Sequence, residues 1–470
     1  MDLLRWYRRA VALTTGDPKS FLSARRHVIL LYISIIIIVY YIEYICIFSL
    51  EPLSQDMALV TTIVAAASSL LAFPFTANIS KLLNLRRRLG EELHLAIVAA
   101  SGASSTGLEL VEFFRYLGAR GARALKGFAS LGSWFDSLSS LVGFERALLI
   151  VGSIASGDLR RTLGEHAQSL ALGTGLEHLL SLSREIIAGA QATLARIMVA
   201  RAQASIISIT MITIIPIMIA GLSMLFGPWI MAASSPIILA VSCSASIFIP
   251  DYPLPLRTTF HGKASRITSA LSALSLLGLA PLIAEILGGS MSSNSLIVAG
   301  AAMAIGGLPE AILFVAGLRR LLSLGGVVSR AREHVRIYRS LSLFTDEELE
   351  KILSKDVRPW LADYMADAIS FYREKGDVDP IVFEGFAEYV STMLRGVRAY
   401  IASAAIVISV MASIPMLLGA VTVLGRVEGF NAEVFKLSVS VSASLIASKT
   451  MTGRIMPTLI GIAILLSSFY

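Results

Sequence analysis

Long uninterrupted apolar runs constrain this chain more than any other feature of its sequence. A helix needs about 20 mostly apolar residues to cross the hydrocarbon core of a bilayer. Seven clear runs of that size, and two weaker ones at the carboxyl end, occur in the chain. They cover residues 28–50, 57–77, 205–226, 229–249, 268–287, 295–318, 399–424, 430–448 and 455–470. The runs predict an all-α, polytopic membrane protein with about nine transmembrane helices.

The composition supports this fold class. The 470-residue chain is 55% hydrophobic and 16% charged, whereas soluble domains carry about 25% charged residues. Its formal net charge of +7 comes from basic residues that lie beside the apolar runs, as juxtamembrane anchors do. No zinc-finger, RNP or homeodomain pattern accompanies the charge. We therefore predict contact with membrane lipid and no nucleic-acid partner.

Lysine and arginine are distributed unevenly between the loops that join the runs. Cytoplasmic loops carry an excess of both residues. With the amino terminus inside, the outside loops are 51–56, 227–228, 288–294 and 425–433, and Arg426 is the only basic residue among them. We expect a multi-pass protein of the cell membrane whose amino terminus is cytoplasmic and whose carboxyl terminus is outside.

Two long polar segments interrupt the apolar runs, and both have the apolar spacing of helices. We expect each to form a cytoplasmic helical-bundle domain. The predicted order is a cytoplasmic amino terminus and two spans (1–77), a first helical domain (78–204), four spans (205–318), a second helical domain (319–398) and three spans (399–470).

The sequence Thr-Gly-Leu-Glu occurs twice in the first polar segment, at 106–109 and 174–177. A threonine three residues before a glutamate fits a capping box, and the preceding Gly102 and Gly173 suit chain reversals. Duplicated helical hairpins explain this pair, although coincidence stays an alternative. In the second segment, Thr345–Glu348 fits another capping box, and the Asp-Val-Asp-Pro sequence at 377–380 predicts a helix break.

A longer repeat relates the two halves of the chain. Each polar segment leads into an apolar run that contains a central proline followed by a glycine, Pro216 with Gly221 and Pro415 with Gly419. Proline removes a backbone hydrogen bond inside a helix. We therefore expect a kink in both spans.

No motif of enzyme chemistry is present. The sequence contains no Walker A motif, no H-E-x-x-H, no C-x-x-C and no G-x-S-x-G, so we predict that the chain is not an enzyme and has no cofactor. His166 and His178 lie in one region of the chain, but packing or surface roles explain them better than a metal site.

Ionisable residues inside spans are candidates for function. Here they are Glu43, Glu285, Glu310 and Lys436. Glu43 and Glu285 lie close to the outer ends of their spans, where carboxylates reach water. Glu310 lies deeper, after Gly306, Gly307 and Pro309, and a broken helix with a carboxylate is also typical of a secondary transporter. A transporter with a midplane site near Glu310 is therefore the alternative function.

Basic clusters mark the predicted cytoplasmic faces. Attraction to anionic lipid headgroups explains Arg319 and Arg320, beside the membrane. A second set, at 330–339, spreads along a helix beyond the reach of one headgroup. The residues we expect to dock a protein partner are Arg86, Arg87, Arg88, Arg332, Arg336 and Arg339.

The two helix starts, in STGLELVEFFRYL and LALGTGLEHLLSLSREI, are similar to those of the F domain of type II secretion and type IV pilus systems. The proline-bearing span that follows, and the second, shorter copy that ends at Pro415 and Gly419, also resemble that family. Two such domains separated by extra spans resemble its archaeal branch, the platform proteins of the archaellum and archaeal pili. The likeness is strongest over 78–225 and looser over 330–424, where the second copy lacks the TGLE start.

The resemblance implies a non-enzymatic membrane platform under a growing filament. A cytoplasmic hexameric secretion ATPase would dock on the cytoplasmic domains, and its strokes would help prepilin-like subunits to leave the bilayer. The resemblance also implies a homodimer. It does not distinguish a pilus from an archaellum or a secretion pseudopilus.

Overall fold

A computed structural model describes most of the chain from residue 89 onward. The described residues are 89–103, 108–154, 158–227, 229–249, 257–260, 262–288, 290–376, 378–397, 430–452 and 456–469. These residues are almost entirely helical, which confirms the all-α prediction. The predicted spans at 28–50, 57–77 and 399–424 lie outside them.

Fifteen helices lie within the described residues. In chain order they are α1 (89–101), α2 (Glu109–Arg120), α3 (Lys126–Val142), α4 (Phe144–Ile154), α5 (Asp158–Ala171), α6 (Gly175–Phe226), α7 (Trp229–Phe248), α8 (Gly262–Ser275), α9 (Ala280–Leu287), α10 (Ser293–Tyr338), α11 (Glu347–Leu353), α12 (Trp360–Lys375), α13 (380–397), α14 (Phe430–Thr452) and α15 (Pro457–Phe469). A short 3₁₀ turn, Leu276–Leu279, joins α8 to α9. Strands β1 (Thr258–Phe260) and β2 (Val357–Pro359) form an antiparallel pair.

The chain divides into two compact units. Unit 1 contains residues up to Glu185 together with Asp367–Phe383, and unit 2 contains Ile186–Ala366 together with Glu384–Tyr470. The end of the second polar segment thus packs with the first one. The domain boundaries predicted from the sequence stay a prediction.

Two helical hairpins, α2 with α3 and α4 with α5, build much of unit 1. Helices α2 and α3 cross at Gly118 and Gly132, where a Cβ on Gly132 would lie 2.1 Å from the Phe114 carbonyl oxygen. The buried Phe114 ring stacks on Phe128 at 4.9 Å between centroids. Glycine at the crossing therefore allows the aromatic core to close around it.

Two buried carboxylates hold the turn between α2 and α3. Glu92 accepts hydrogen bonds from the backbone N–H groups of Gly127 at 3.3 Å and Phe128 at 3.1 Å. These groups belong to the first turn of α3, whose N–H donors have no partner within the helix. Asp367 accepts hydrogen bonds from the backbone N–H groups of Arg123 at 3.1 Å and Ala124 at 2.9 Å. Acidic side chains distant in sequence thus complete this turn.

Tyr372 joins α12 to α1 inside unit 1. Its hydroxyl donates a 2.7 Å hydrogen bond to the carbonyl oxygen of Ala99. A Cβ on Gly102 would lie 2.2 Å from that hydroxyl oxygen. Glycine at this position therefore makes space for the tyrosine side chain, a role beyond the chain reversal expected from the sequence. Complete burial raises the pKa of the Tyr372 phenol well above its ordinary value, which keeps the donor protonated.

The helix boundaries predicted from sequence spacing agree with the structure at several places. Gly173, with φ of +76°, precedes the start of α6, as expected for a chain reversal. The Thr174 hydroxyl, just before that helix, donates to the Ser169 carbonyl oxygen at 3.3 Å, so it also joins the helix to the end of α5. Helix α12 ends at Lys375 and α13 begins at 380, where the Asp-Val-Asp-Pro sequence predicts the break.

Unit 2 contains helices at six of the predicted spans. Among the described residues, two stretches, Arg266–Ile286 and Ser293–Tyr338, are long and apolar enough to cross a membrane. The shorter apolar helices are Thr213–Ser223, Ser234–Cys243 and Pro457–Ser468. The described residues therefore do not confirm the full set of nine spans.

Small residues allow close helix contacts around α10. Helix α15 packs against it where a Cβ on Gly461 would lie 2.3 Å from the Ala304 nitrogen and 2.6 Å from the Gly300 carbonyl oxygen. A second contact brings α8 against it, where a Cβ on Gly306 would lie 2.4 Å from the Ser275 Cβ. Such small-residue contacts are typical of helix packing in membranes.

Candidate functional site

The polar end of α10 is the candidate site. This helix has 46 residues, about 69 Å at 1.5 Å per residue, which is more than twice the hydrocarbon thickness of a bilayer. Its first half is the apolar run 295–318, and its second half carries the arginines from 319 onward. The helix ends at Tyr338 because Arg339 is left-handed, with φ of 53°, and its N–H binds the Val335 carbonyl oxygen at 2.8 Å.

Arg330 anchors the segment that follows the helix. Its guanidinium donates to the Asp346 carboxylate at 2.7 Å and to Glu348 at 2.8 Å. Asp346 also caps α11, since it accepts a 3.0 Å hydrogen bond from the Leu349 N–H. The capping box predicted to begin at Thr345 is thus wrong by one residue. Aspartate and threonine are both good caps, and in the structure Asp346 is the cap and also pairs with Arg330.

The charge state of Asp346 follows from these contacts. Burial alone would raise the pKa of this carboxyl, but the hydrogen bonds from Arg330 and Leu349 hold the pKa below its ordinary value. A carboxyl whose pKa is lowered in the folded state stabilises the fold above its unfolded pKa, about 3.9. That stability is lost as the pH falls through the folded value.

Asp346→Asn is expected to lower the thermal unfolding midpoint at pH 7, and the difference from the wild type is expected to shrink as the pH falls to 3. Asparagine keeps a capping oxygen, so the substitution removes mainly the ion pair. We expect a cost of about 1 kcal/mol, because Arg330 is half exposed and the pair is screened by solvent. The measurement is intrinsic fluorescence of the detergent-solubilised chain on heating, at both pH values. An equal difference at both pH values would contradict the ion-pair explanation.

Arg332 has an internal role. Its guanidinium binds both carboxylate oxygens of Glu384 on α13, with an Nε–Oε2 distance of 2.6 Å. A bidentate pair fixes both side chains. The pair lies within unit 2, and the Arg332 side chain is still 58% exposed, so its predicted role in docking a partner stays a prediction.

Arg336 and Arg339 remain on the surface. Neither pairs with a carboxylate among the described residues, and both side chains are exposed. Three large apolar side chains are exposed beside them: Ile337 at 63%, Tyr338 at 65% and Leu343 at 85%. We name these five residues the helix-end surface. Exposed apolar and aromatic side chains beside arginine are the composition of a protein interface.

Aromatic packing holds this surface in place. The His334 ring lies 4.6 Å from the Tyr338 ring and 5.3 Å from the Phe344 ring, between centroids. Phe344 and Leu341 are buried, so the segment after α10 folds back onto the helix. Tyr338 and the segment after the helix are therefore held against the end of α10.

The predicted intramembrane carboxylates have polar neighbours. Glu310 accepts a 3.3 Å hydrogen bond from the Ser272 hydroxyl of α8. Helix α10 continues through Pro309, so the expected break beside Glu310 is absent from this helix. Glu285 accepts hydrogen bonds from the Ser292 N–H at 2.7 Å and from the Ser295 hydroxyl at 2.6 Å, and so joins α9 to the start of α10.

The two histidines of unit 1 lie together. The rings of His166 and His178 stack with 5.8 Å between centroids. No group of three or more potential metal ligands occurs among the described residues. The stacked rings form a packing contact between α5 and α6.

The remaining predicted site residues divide into two groups. Pro216 and Gly221 lie inside the continuous helix α6, and a Cβ on Gly221 would meet no atom within 4 Å. The others, Glu43, Arg86, Arg87, Arg88, Pro415 and Gly419, lie outside the described residues.

The apolar members of the helix-end surface were not predicted from the sequence. Ile337 and Tyr338 have the spacing of an ordinary helix, and their apolar character alone does not separate them from the buried Val335. The only sequence signal for their exposure is that the helix changes from an apolar to a polar face at its last turn.

Comparison of the chain with protein-family models, with curated protein sequences and with solved structures finds no match.

Proposed function

We propose that this chain is a non-enzymatic membrane platform for the assembly of a type IV pilus-like or archaellum filament. In this proposal it spans the cell membrane about nine times, with a cytoplasmic amino terminus and an external carboxyl terminus, and acts as a homodimer. A cytoplasmic hexameric secretion ATPase docks on it, and prepilin-like subunits leave the bilayer beside it.

One observation carries the proposal. Helix α10 continues without a break from an apolar half of spanning length into a polar half that ends at the helix-end surface. In the proposal, a force applied at Tyr338 is transmitted along this continuous helix to its apolar half. Helix α6, with 52 residues, has the same division in the opposite order, polar first and apolar afterwards.

The helix-end surface suits an ATPase partner. It carries two arginines without carboxylate partners among the described residues, and three exposed apolar side chains. Opposite charge on a partner accelerates docking, and desolvated aromatic and arginine side chains supply most of the affinity. A platform needs such a surface outside the membrane.

The test is co-purification from the native host after mild solubilisation, with mass spectrometry of the bound proteins. The wild-type chain is expected to recover a secretion ATPase and prepilin-like subunits. A double variant, Arg336→Glu with Arg339→Glu, is expected to recover about tenfold less ATPase, because two charges are reversed at the docking surface. Electron microscopy should then show cells without filaments.

The matched control is Arg336→Lys with Arg339→Lys, which changes the same positions and keeps both charges. It should recover the ATPase at close to the wild-type amount. Filaments and undiminished ATPase recovery from the glutamate variant would remove the helix-end surface from the proposal. Recovery of neither the ATPase nor filament subunits with the wild-type chain would refute the platform itself.

A further inference from the structure

A cationic cleft lies beside the middle of α10, between that helix and α11. Its volume is about 540 Å³, within the range of small-ligand pockets. Four basic residues line it: Arg319 and Arg320 from α10, Lys351 from α11, and Lys355 from the turn before β2. The cleft lies outside the helix-end surface, and the proposed platform function does not use it.

The charge of the cleft is not neutralised from within. Arg319, Lys351 and Lys355 make no ion pair with any described carboxylate. One acid, Glu348, also lines the cleft, but its carboxylate is bonded to the Arg330 guanidinium at 2.8 Å. The cleft therefore has the charge and the free donors of an anion site.

Part of the cleft is already ordered. The guanidinium of Arg320 donates a hydrogen bond to the carbonyl oxygen of Val357 in β2. That strand is itself fixed, since it pairs with β1 in the register Phe260↔Val357. A donor held in place loses less side-chain entropy on binding an anion.

An exposed apolar stripe leads to this cleft along α10. It consists of Ile305, Leu308, Ile312 and Val315, each at least half exposed. The spacing of three and four residues places them on one face of the helix, and Arg319 continues the same spacing. The stripe belongs to the half of α10 that is apolar enough to lie in a bilayer.

We propose that the cleft binds the headgroup phosphate of an anionic phospholipid, with an acyl chain of that lipid along the stripe. The inference rests on the membrane insertion contained in the proposed function. A free phosphate ion would share the cationic chemistry but would leave the stripe without an occupant. Basic pockets at the cytoplasmic ends of transmembrane helices bind anionic headgroups for the same reasons.

The cleft's position agrees with this occupant. Arg319 is the first residue after the apolar run 295–318, so its guanidinium lies at the level where the hydrocarbon core ends. Lys351 and Lys355 approach from the polar side, on the segment after α10. A phosphate between them would meet cations from two elements while its acyl chains stay in the bilayer.

Native mass spectrometry of the full chain tests the proposal. The protein is reconstituted in vesicles that mix phosphatidylcholine with phosphatidylglycerol, extracted with mild detergent, and weighed with its retained lipids. We expect one tightly retained phosphatidylglycerol per chain and no comparable retention of phosphatidylcholine. The variant Arg319→Gln with Lys351→Gln should retain the anionic lipid at least tenfold less.

The matched control is Arg336→Gln with Arg339→Gln, which removes two positive charges from the same helix and its end, away from the cleft. It should retain lipid as the wild type does. Equal losses from both variants would show a general charge effect and overturn the site. Stabilisation against heat by inorganic phosphate alone, equal to that by phosphatidylglycerol, would overturn the lipid and leave a phosphate site.

This readout requires neither ATPase nor filament. Lipid retention by a chain that recovers no ATPase would leave the cleft proposal intact and refute the platform. Recovery of the ATPase by a chain that retains phosphatidylcholine and phosphatidylglycerol equally would support the platform and refute the lipid site.

Discussion

Gly132→Ala is expected to open the α2–α3 hairpin of unit 1. The new methyl carbon would lie 2.1 Å from the Phe114 carbonyl oxygen and 3.0 Å from the Gly118 nitrogen. Both are backbone atoms, so no side chain can move aside to relieve the contact. The helices must separate, and the stacked rings of Phe114 and Phe128 separate with them. Overpacking of this kind costs about 1–3 kcal/mol and sometimes more.

Amide hydrogen exchange over residues 109–142 is the appropriate measurement, because it reports local opening. We expect exchange to accelerate by about tenfold or more, since 1.4 kcal/mol corresponds to a factor of ten. Gly164→Ala serves as the control, because a Cβ there meets no atom within 4 Å. Alanine in the middle of α5 should leave exchange unchanged or slow it. Unchanged exchange in Gly132→Ala would show that the helices do not cross at this glycine.

The helices of this fold follow from local sequence pattern, and so they were predictable. The apolar run 229–249 corresponds to helix Trp229–Phe248, and the run 455–470 to Pro457–Phe469. A continuous apolar stretch can satisfy its backbone in lipid only as a helix. The pattern therefore determines the type of element and its approximate ends.

Long-range contacts were not predictable in the same way. Strands β1 and β2 have three residues each and pair across about 100 positions of sequence. Segments this short have no hydrophobic periodicity from which the strands could be predicted. Asp346, the cap of α11, also binds Arg330, which lies in the preceding helix. One sequence cannot specify which distant partner a side chain meets.

The candidate site also combines features that the sequence predicts with contacts that only the fold determines. The sequence marks Arg332, Arg336 and Arg339 alike, as basic residues on one helix. Only the fold separates them, because Glu384 of α13 lies opposite Arg332. Similarly, Arg319 and Arg320 have the composition of a membrane anchor in the sequence. In the fold, Lys351 of α11 and Lys355 of the turn after it lie near these two arginines, and the four residues line one cleft.

Asp367→Ala is expected to loosen a turn more than 200 residues away in sequence. The Asp367 carboxylate accepts hydrogen bonds from the N–H groups of Arg123 and Ala124, at 2.9–3.1 Å, and both Ala124 and Asp367 are buried. Hydrogen bonds to charged groups contribute about 1.5–3 kcal/mol each. Removing this acceptor leaves buried donors without it, so we expect a loss of about 3 kcal/mol.

Amide exchange over residues 121–128 and the thermal midpoint of the full chain measure this loss. Asp367→Asn should have a smaller effect, since the amide keeps one acceptor oxygen. The control is Glu374→Gln on the same helix, whose exposed carboxylate pairs with an exposed Arg120 at 3.2 Å. Such surface pairs contribute about 0–1 kcal/mol, so exchange there should barely change. If Asp367→Ala also left exchange at 121–128 unchanged, the end of the second polar segment would not be part of the unit 1 core. A large effect would instead show that this core needs the distant segment to hold the α2–α3 turn.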